Sequence, residues 1–246
     1  MFSKYFEDVE RRLIAGAKKT AAAPSKKGKA ASAEKAAKPV KKAAVDHTEL
    51  IAYMEKIVPA SLKTGALKMI DVGGYIPEGI DFVAYKEICR DMPLLMGGYV
   101  PSELVYGTYH VCPVINKNSI VEVLDRIVQA KKINRFADDA GDIQVIPAFI
   151  ISYGMDMNLS ELKGALLDYY MTRSIDSVFE FDLIAVLNRG LFVKNWREKR
   201  SFIGLETGKD TLMWFFILMN EYLDVDRGGD LDLREYIRKT EKYSEY

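Results

Sequence analysis

The sequence predicts one α/β domain, running from about Ile51 to Tyr222, behind a helix and a tether at the N-terminus. Three observations carry this. Segments with apolar residues at helical spacing alternate with short apolar runs of strand length. Of the 246 residues, 49% are hydrophobic and 28% charged, which are ordinary globular proportions. A chain of this length can bury a substantial core without disulfides or metals. No apolar run approaches the ~18 residues of a membrane span. The best candidate, Thr211 to Met219, is about half as long and reads as a core helix. Cys89 and Cys112 form no CxxC pair, which fits a reducing compartment. No apolar signal region opens the chain. A cytoplasmic protein without membrane contact is the expectation.

The charges are unevenly spread. Residues 1–46 hold 12 Lys/Arg against 5 Asp/Glu, leaving 23 basic and 30 acidic residues in the rest. A basic arm is therefore attached to an acidic body, which would repel polyanions. Within the arm, residues 1–15 predict an amphipathic helix, with Phe2, Tyr5, Phe6, Val9, Leu13 and Ile14 at helical spacing. Its apolar face either folds back on the body or docks to a partner protein. Residues 16–45 are rich in Ala, Lys, Ser, Gly and Pro and have no aromatic residue. Such a stretch cannot offset its ordering entropy and reads as a disordered tether. Its lysines (Lys18, Lys19, Lys26, Lys27, Lys29, Lys35, Lys38, Lys41 and Lys42) can make weak, salt-sensitive contacts with nucleic acid. Without interleaved aromatics or Arg they carry no recognition chemistry.

The domain of residues 46–246 begins with a helix capped by Asp46 or Thr48 and ending before Pro59. Ala66 to Val72 reads as a strand followed by a Gly73-Gly74 turn. Ile80 to Ile88 is a second strand and Val105 to Ile115 a third. A helix from Ser119 to about Ile133 carries Ile120, Val123, Leu124, Ile127 and Val128 on one face. Val145 to Tyr153 is a buried strand, and Leu159 to Tyr170 a short helix. Phe181 to Leu187 and Leu191 to Trp196 flank Asn188-Arg189-Gly190 as a hairpin. A helix from Thr211 to Leu223 closes the core. Phe82, Val111, Phe149, Ile184 and Phe216 are expected to be buried.

Several segments, in order, resemble an uncharacterised bacterial domain family of the restriction-endonuclease-like PD-(D/E)xK superfamily. They are Val58-Pro59 through Gly65, Gly79-Ile80-Asp81-Phe82-Val83-Ala84-Tyr85, Pro93-Leu94-Leu95, and Val100-Pro101-Ser102-Glu103-Leu104-Val105-Tyr106. Ala130-Lys131-Lys132-Ile133 and Phe181-Asp182-Leu183-Ile184 through Arg189-Gly190 complete the set. The resemblance covers roughly residues 47–224. It implies a restriction-endonuclease-like fold, a mixed central sheet flanked by helices. It also implies a site with a carboxylate on one strand and Glu-x-Lys on the next, holding Mg²⁺ and orienting the attacking water.

Asp81 fits the first position. At the Glu and Lys positions of the next strand stand His110 and Cys112, so the motif is degenerate. A His/Cys pair beside an Asp could bind Zn²⁺, but the sequence offers no fourth ligand, and a filled, inactive pocket is the plainer reading. If activity survives, Asp81 with Glu103 and Lys117 is the rearranged set, with Mg²⁺ as cofactor. Glu55 and Glu122 are further carboxylates that could lie near the pocket mouth. Asp224 to Glu235 mimics a calcium loop, with acidic residues at positions 1, 3, 7, 9 and 12. Gly228 offers no ligand at position 5, and a glycine turn before a capped helix accounts for the pattern. Trp214, Phe215, Phe216 and Tyr222 read as core packing, since no basic residues interleave with them. The expectation is a catalytically silent nuclease-like domain acting as a binding, assembly or adaptor component, in antiphage defence or a mobile element. It would meet another protein through the N-terminal helix or the body. The alternatives are an active metal-dependent nuclease, or a nucleic-acid-binding protein using the basic arm.

Overall fold

A computed structural model describes residues 2–22, 47–133, 145–195, 197, 198, 200–223, 244 and 245. Its helices are α1 (Phe2–Ala22), α2 (Thr48–Ile57), α3 (Met92–Leu95), α4 (Lys117–Ala130), α5 (Leu159–Thr172) and α6 (Thr211–Tyr222). Its strands are β1 (Lys63–Gly65), β2 (Lys68–Ile70), β3 (Phe82–Tyr85), β4 (Tyr99–Pro101) and β5 (Val105–Cys112). They continue with β6 (Ala148–Ser152), β7 (Leu183–Val186), β8 (Gly190–Lys194), β9 (Phe202–Glu206) and β10 (Ser244–Glu245).

Eight strands form one sheet in the order β1-β3-β5-β6-β7-β8-β9-β10, and β2 and β4 pair separately. The central β5-β6-β7 pairs are parallel, and their crossovers are α4 and α5, as parallel pairs require. The flanking pairs are antiparallel. Because side chains alternate across a strand, each central strand feeds two cores. Phe149, Ile151, Leu183 and Ala185 pack with Leu212, Phe215 and Met219 of α6. Ala148, Ile150, Ile184 and Val186 pack with Ile120, Leu124 and Ile127 of α4 and Leu162 and Leu166 of α5. The result is the mixed sheet between helical layers of the restriction-endonuclease-like fold.

The helix starts follow local chemistry. Asn116 and Asn158 each accept a backbone N–H from the third helical residue, and Ser119 and Glu161 reach back to close capping boxes. At α2 the cap is His47, without a side-chain hydrogen bond, rather than Asp46 or Thr48.

Four expectations are corrected. Ala66 to Val72 is not one strand: β1 ends at Gly65 and pairs with β3, while β2 begins at Lys68 and pairs with β4. Leu67 makes the step between them, its N–H donating to the Gly65 carbonyl at 2.9 Å. β1, β4, α3 and β9 were not anticipated: the first three span only three or four residues, and Gly204 breaks the apolar run of β9. Phe216 is only partly buried, while Phe215 is fully buried. α6 is apolar nearly all round, so its spacing does not say which of two adjacent phenylalanines faces inward. Finally, α1 extends to Ala22, seven residues past its expected end. Ala and Lys are strong helix formers, which accounts for the longer helix, and residues 23–45 of the expected tether lie outside the described residues. Of the two readings for α1, the described one is the fold-back. Phe6 lies against Phe216 with ring centroids 5.2 Å apart, and Ser3 Oγ donates to Asp210 at 2.7 Å. Phe82, Val111, Phe149 and Ile184 are buried as expected.

Candidate active-site pocket

The resemblance placed a carboxylate on one strand and two partners on the next, and the register brings those positions together. β3 runs antiparallel to β5 with Phe82 opposite Tyr109, their rings stacked at 4.5 Å. Asp81 immediately precedes β3, and its N–H donates to the Tyr109 carbonyl at 3.0 Å. Its Oδ2 accepts the Val111 N–H at 2.6 Å. Arg126 of α4 stands 3.7 Å from that oxygen, and His47 Nε2 lies 3.8 Å from Oδ1. Burial pushes the Asp81 carboxyl above the usual carboxylate range, against the opposing pull of Val111 N–H, Arg126 and His47.

His110 is completely buried. Its Nδ1 lies 3.1 Å from the Gly79 carbonyl, which assigns the ring proton to Nδ1. Nε2 is buried with no hydrogen-bond partner. Burial, reinforced by the Arg126 charge, pushes the imidazole down to about 3. Cys112 is buried beside Ile120 and Leu124, and burial pushes its thiol up. At neutral pH the two positions therefore hold a neutral imidazole and a neutral thiol. Gly79 holds a left-handed φ of +79°, and a Cβ there would stand 2.2 Å from Arg126 Cδ. Only glycine lets the arginine cross this backbone and reach the pocket.

The remaining candidates lie elsewhere. Glu103 sits in the turn before β5, at the end of that strand away from Cys112. Five strand steps at ~3.3 Å each put His110 roughly 17 Å from Val105, and Glu103 lies two residues further back, in the 3-10 turn. Lys117 lines a groove of ≈ 520 Å³ with Val121, Gly164, Asp168 and Arg173, between α4 and α5. Asp81, Glu103 and Lys117 are thus not assembled into one site. Glu55 accepts hydrogen bonds from the Thr64 N–H and hydroxyl at 3.3 and 3.2 Å, tying α2 to β1. Glu122 is exposed on α4 within electrostatic reach of Cys112. Lys18 and Lys19 fall within α1, whereas Lys26, Lys27, Lys29, Lys35, Lys38, Lys41, Lys42 and the Asp224–Glu235 stretch lie outside the described residues.

The pocket does not fit Mg²⁺, which demands several oxygen ligands in near-octahedral array. It offers one carboxylate, already bonded to Val111 N–H and close to an arginine. Among the described residues, no three His, Cys, Asp or Glu side chains converge to hold a metal.

Sequence reasoning missed two features. Arg126 flanks the apolar stripe of α4, and only its position beside that stripe signalled a pocket-facing role. The second is a buried charge cluster below β6 and β7. Lys131 Nζ donates to Asp182 Oδ2 at 2.5 Å, both side chains being 2% exposed. Asp182 also accepts the Ala148 N–H at 2.8 Å. Lys194 lies 3.7 Å from the buried Glu180 carboxylate.

A pH prediction follows from His110. Its imidazole ordinarily titrates near 6.5 and is held at about 3 in the fold. The unfolded chain then binds the extra proton, so the stability contributed by neutral His110 is complete above 6.5 and is lost as pH falls from there towards 3. The expected slope is about 1.4 kcal/mol per pH unit from this group. Urea unfolding at stepped pH should show a difference of that slope between the native protein and His110→Gln, because the other titrating groups, Glu10 among them, contribute equally to both.

Sheet order and the two helical layers define a restriction-endonuclease-like fold. Solved structures agree. The chain is similar to E. coli MS115-1 NucC in its cAAA-bound form, with 14% identity, a TM-score of 0.65, and 91% of this chain and 90% of that one covered. P. aeruginosa ATCC27853 NucC, also cAAA-bound, gives 12% identity and a TM-score of 0.63, with 90% of each chain covered. The apo form of the E. coli protein gives 16% and 0.57, over 76% of this chain and 87% of that one. No protein-family model and no curated protein sequence matches the chain. Among the described residues, no helix is long and apolar enough to cross a membrane.

Proposed function

We propose that this chain is a nuclease-fold protein that has lost catalysis and acts by binding, as an assembly or adaptor component in an antiphage setting. The observation that carries the reading is the pocket. Beside Asp81, the paired strand carries a buried neutral imidazole and a buried neutral thiol at the positions where the chemistry needs a second carboxylate and a cation. A neutral His110 offers a nitrogen better suited to transition metals than to Mg²⁺. Cys112 supplies no positive charge for a scissile phosphate. The separation of Glu103 and Lys117 from Asp81 weighs against the rearranged nuclease. The likeness to NucC suggests the antiphage setting, and the two cAAA-bound structures make cAAA a ligand to try.

Purifying the intact chain from its host, with analysis of copurifying protein and nucleic acid, tests the reading. The expected result is a protein partner in fixed ratio that survives nuclease treatment. A chain that purifies alone and degrades added nucleic acid contradicts it.

A further inference from the structure

α1 packs on the body around a single buried carboxylate, Glu10. Its apolar side, with Phe6 and Leu13 buried, covers the Phe216 face of α6. Near its C-terminal half, Gly16 approaches α2 so closely that a Cβ would stand 2.8 Å from Glu49 Oε2. Between these contacts sits Glu10, 2% exposed. Its Oε1 accepts the N–H of Asn188 at 2.5 Å, in the β7–β8 turn where Asn188 holds a left-handed φ of 58°. Its Oε2 is buried and completes no hydrogen bond, the Leu212 amide lying near enough to favour the charged form but not to close one. A second orphan, the Tyr53 hydroxyl of α2, is buried within electrostatic reach. An ionised carboxylate with one oxygen unsolvated is costly, and a protonated one is not. The arm's attachment permits release. Twenty-four residues separate Ala22 from His47, a covalent reach of up to ~80 Å at full extension.

We propose that Glu10 is a proton-operated latch for the N-terminal helix: protonated, it keeps α1 seated on α6 and α2; ionised, it loosens the helix and uncovers the apolar face of α6. The charged and titratable groups around it are known. Glu7 and Arg11 lie on its own helix, and both line a small cavity of ≈ 280 Å³ with Glu10, Asn188 and Lys209. Asp210 precedes α6, and Tyr53 faces from α2. Burial, the largest influence, together with the Asp210 and Glu7 charges, raises Glu10, while the Asn188 and Leu212 amides oppose them. The balance lies at about 7, against 4.5 ordinarily. Since the seated state binds the proton more tightly than the released one, seating is strongest below 4.5. It weakens as pH rises and is weakest above 7.

Hydrogen exchange of the intact protein from pH 4.5 to 8 tests this. Exchange is corrected for intrinsic rates, and α4 serves as the internal reference. Protection of residues 2–14 relative to α4 should fall about tenfold per pH unit, ~300-fold in all, and level off above 7. Glu10→Gln should abolish the slope. A flat native profile, or an unchanged slope in Glu10→Gln, overturns the latch. If Glu10→Gln unseats α1 at every pH, carbon NMR titration of the native Glu10 carboxyl decides: a midpoint near 7 supports the latch, and one in the ordinary carboxylate range overturns it.

Discussion

Asp182→Ala should destabilise the domain by about 3–5 kcal/mol, the range for breaking a buried ion pair. The substitution strands the Lys131 ammonium, 2% exposed, with its nearest anion gone. It also removes the acceptor for the Ala148 N–H, at the first residue of β6. The backbone of Asp182 organises its surroundings as well, its carbonyl accepting the Lys194 N–H at 3.0 Å and the Tyr222 hydroxyl at 3.3 Å. Those bonds survive the substitution, so the loss reports on the carboxylate. Lys131→Met should cost a similar amount, leaving the carboxylate with the Ala148 amide and the more distant Lys194 charge. The double substitution should cost clearly less than the two singles together, because neither charge is then left unpaired. Urea unfolding measures all three. Single losses below 1 kcal/mol would place the pair in contact with water.

The second large effect concerns the pocket. His110→Glu puts a carboxyl at a fully buried position of β5, between Tyr109 and Val111, whose backbone groups bond Asp81. Two carboxylates in one poorly solvated site repel, and one takes up a proton or the fold loses stability. The expected cost at neutral pH is ~3 kcal/mol or more. Adding Cys112→Lys two residues along the same strand face supplies a cation and should recover part of it. Thermal unfolding gives a sharper reading. Mn²⁺ should raise the Tm of the double variant and leave the native protein unchanged, since binding to the folded state alone stabilises it. A double variant indifferent to Mn²⁺ would mean that β5 is not aligned as the old catalytic strand.

Much of this fold was legible because its period is strong. β5, α4, β6 and the β7–β8 hairpin each carry several apolar residues in unbroken pattern, and each formed within a few residues of its expected bounds. Three-residue strands such as β2 and β4 carry too few positions for a period to register. Their pairing is decided by tertiary contact, as with Met69 and Val100 packing beside Met92. At the site, the pairing of Asp81 with the His110–Cys112 segment was readable from motif order. The roles of Glu103 and Lys117 were not, because nearness in sequence to a strand says nothing of which end or helix face a side chain occupies. Lys131, Glu180, Asp182 and Lys194 resemble surface charges in the sequence. Their burial arises only when the end of α4 meets the start of β7, a contact between residues 51 positions apart.

The central claim is that this pocket keeps the geometry of a nuclease strand pair without its chemistry. The most direct measurement is cleavage of single- and double-stranded DNA and RNA by the native protein, with Mg²⁺ and with Mn²⁺, beside Asp81→Ala. The account predicts no metal-dependent cleavage above the Asp81→Ala control. Cleavage by the native protein that disappears in Asp81→Ala would contradict it.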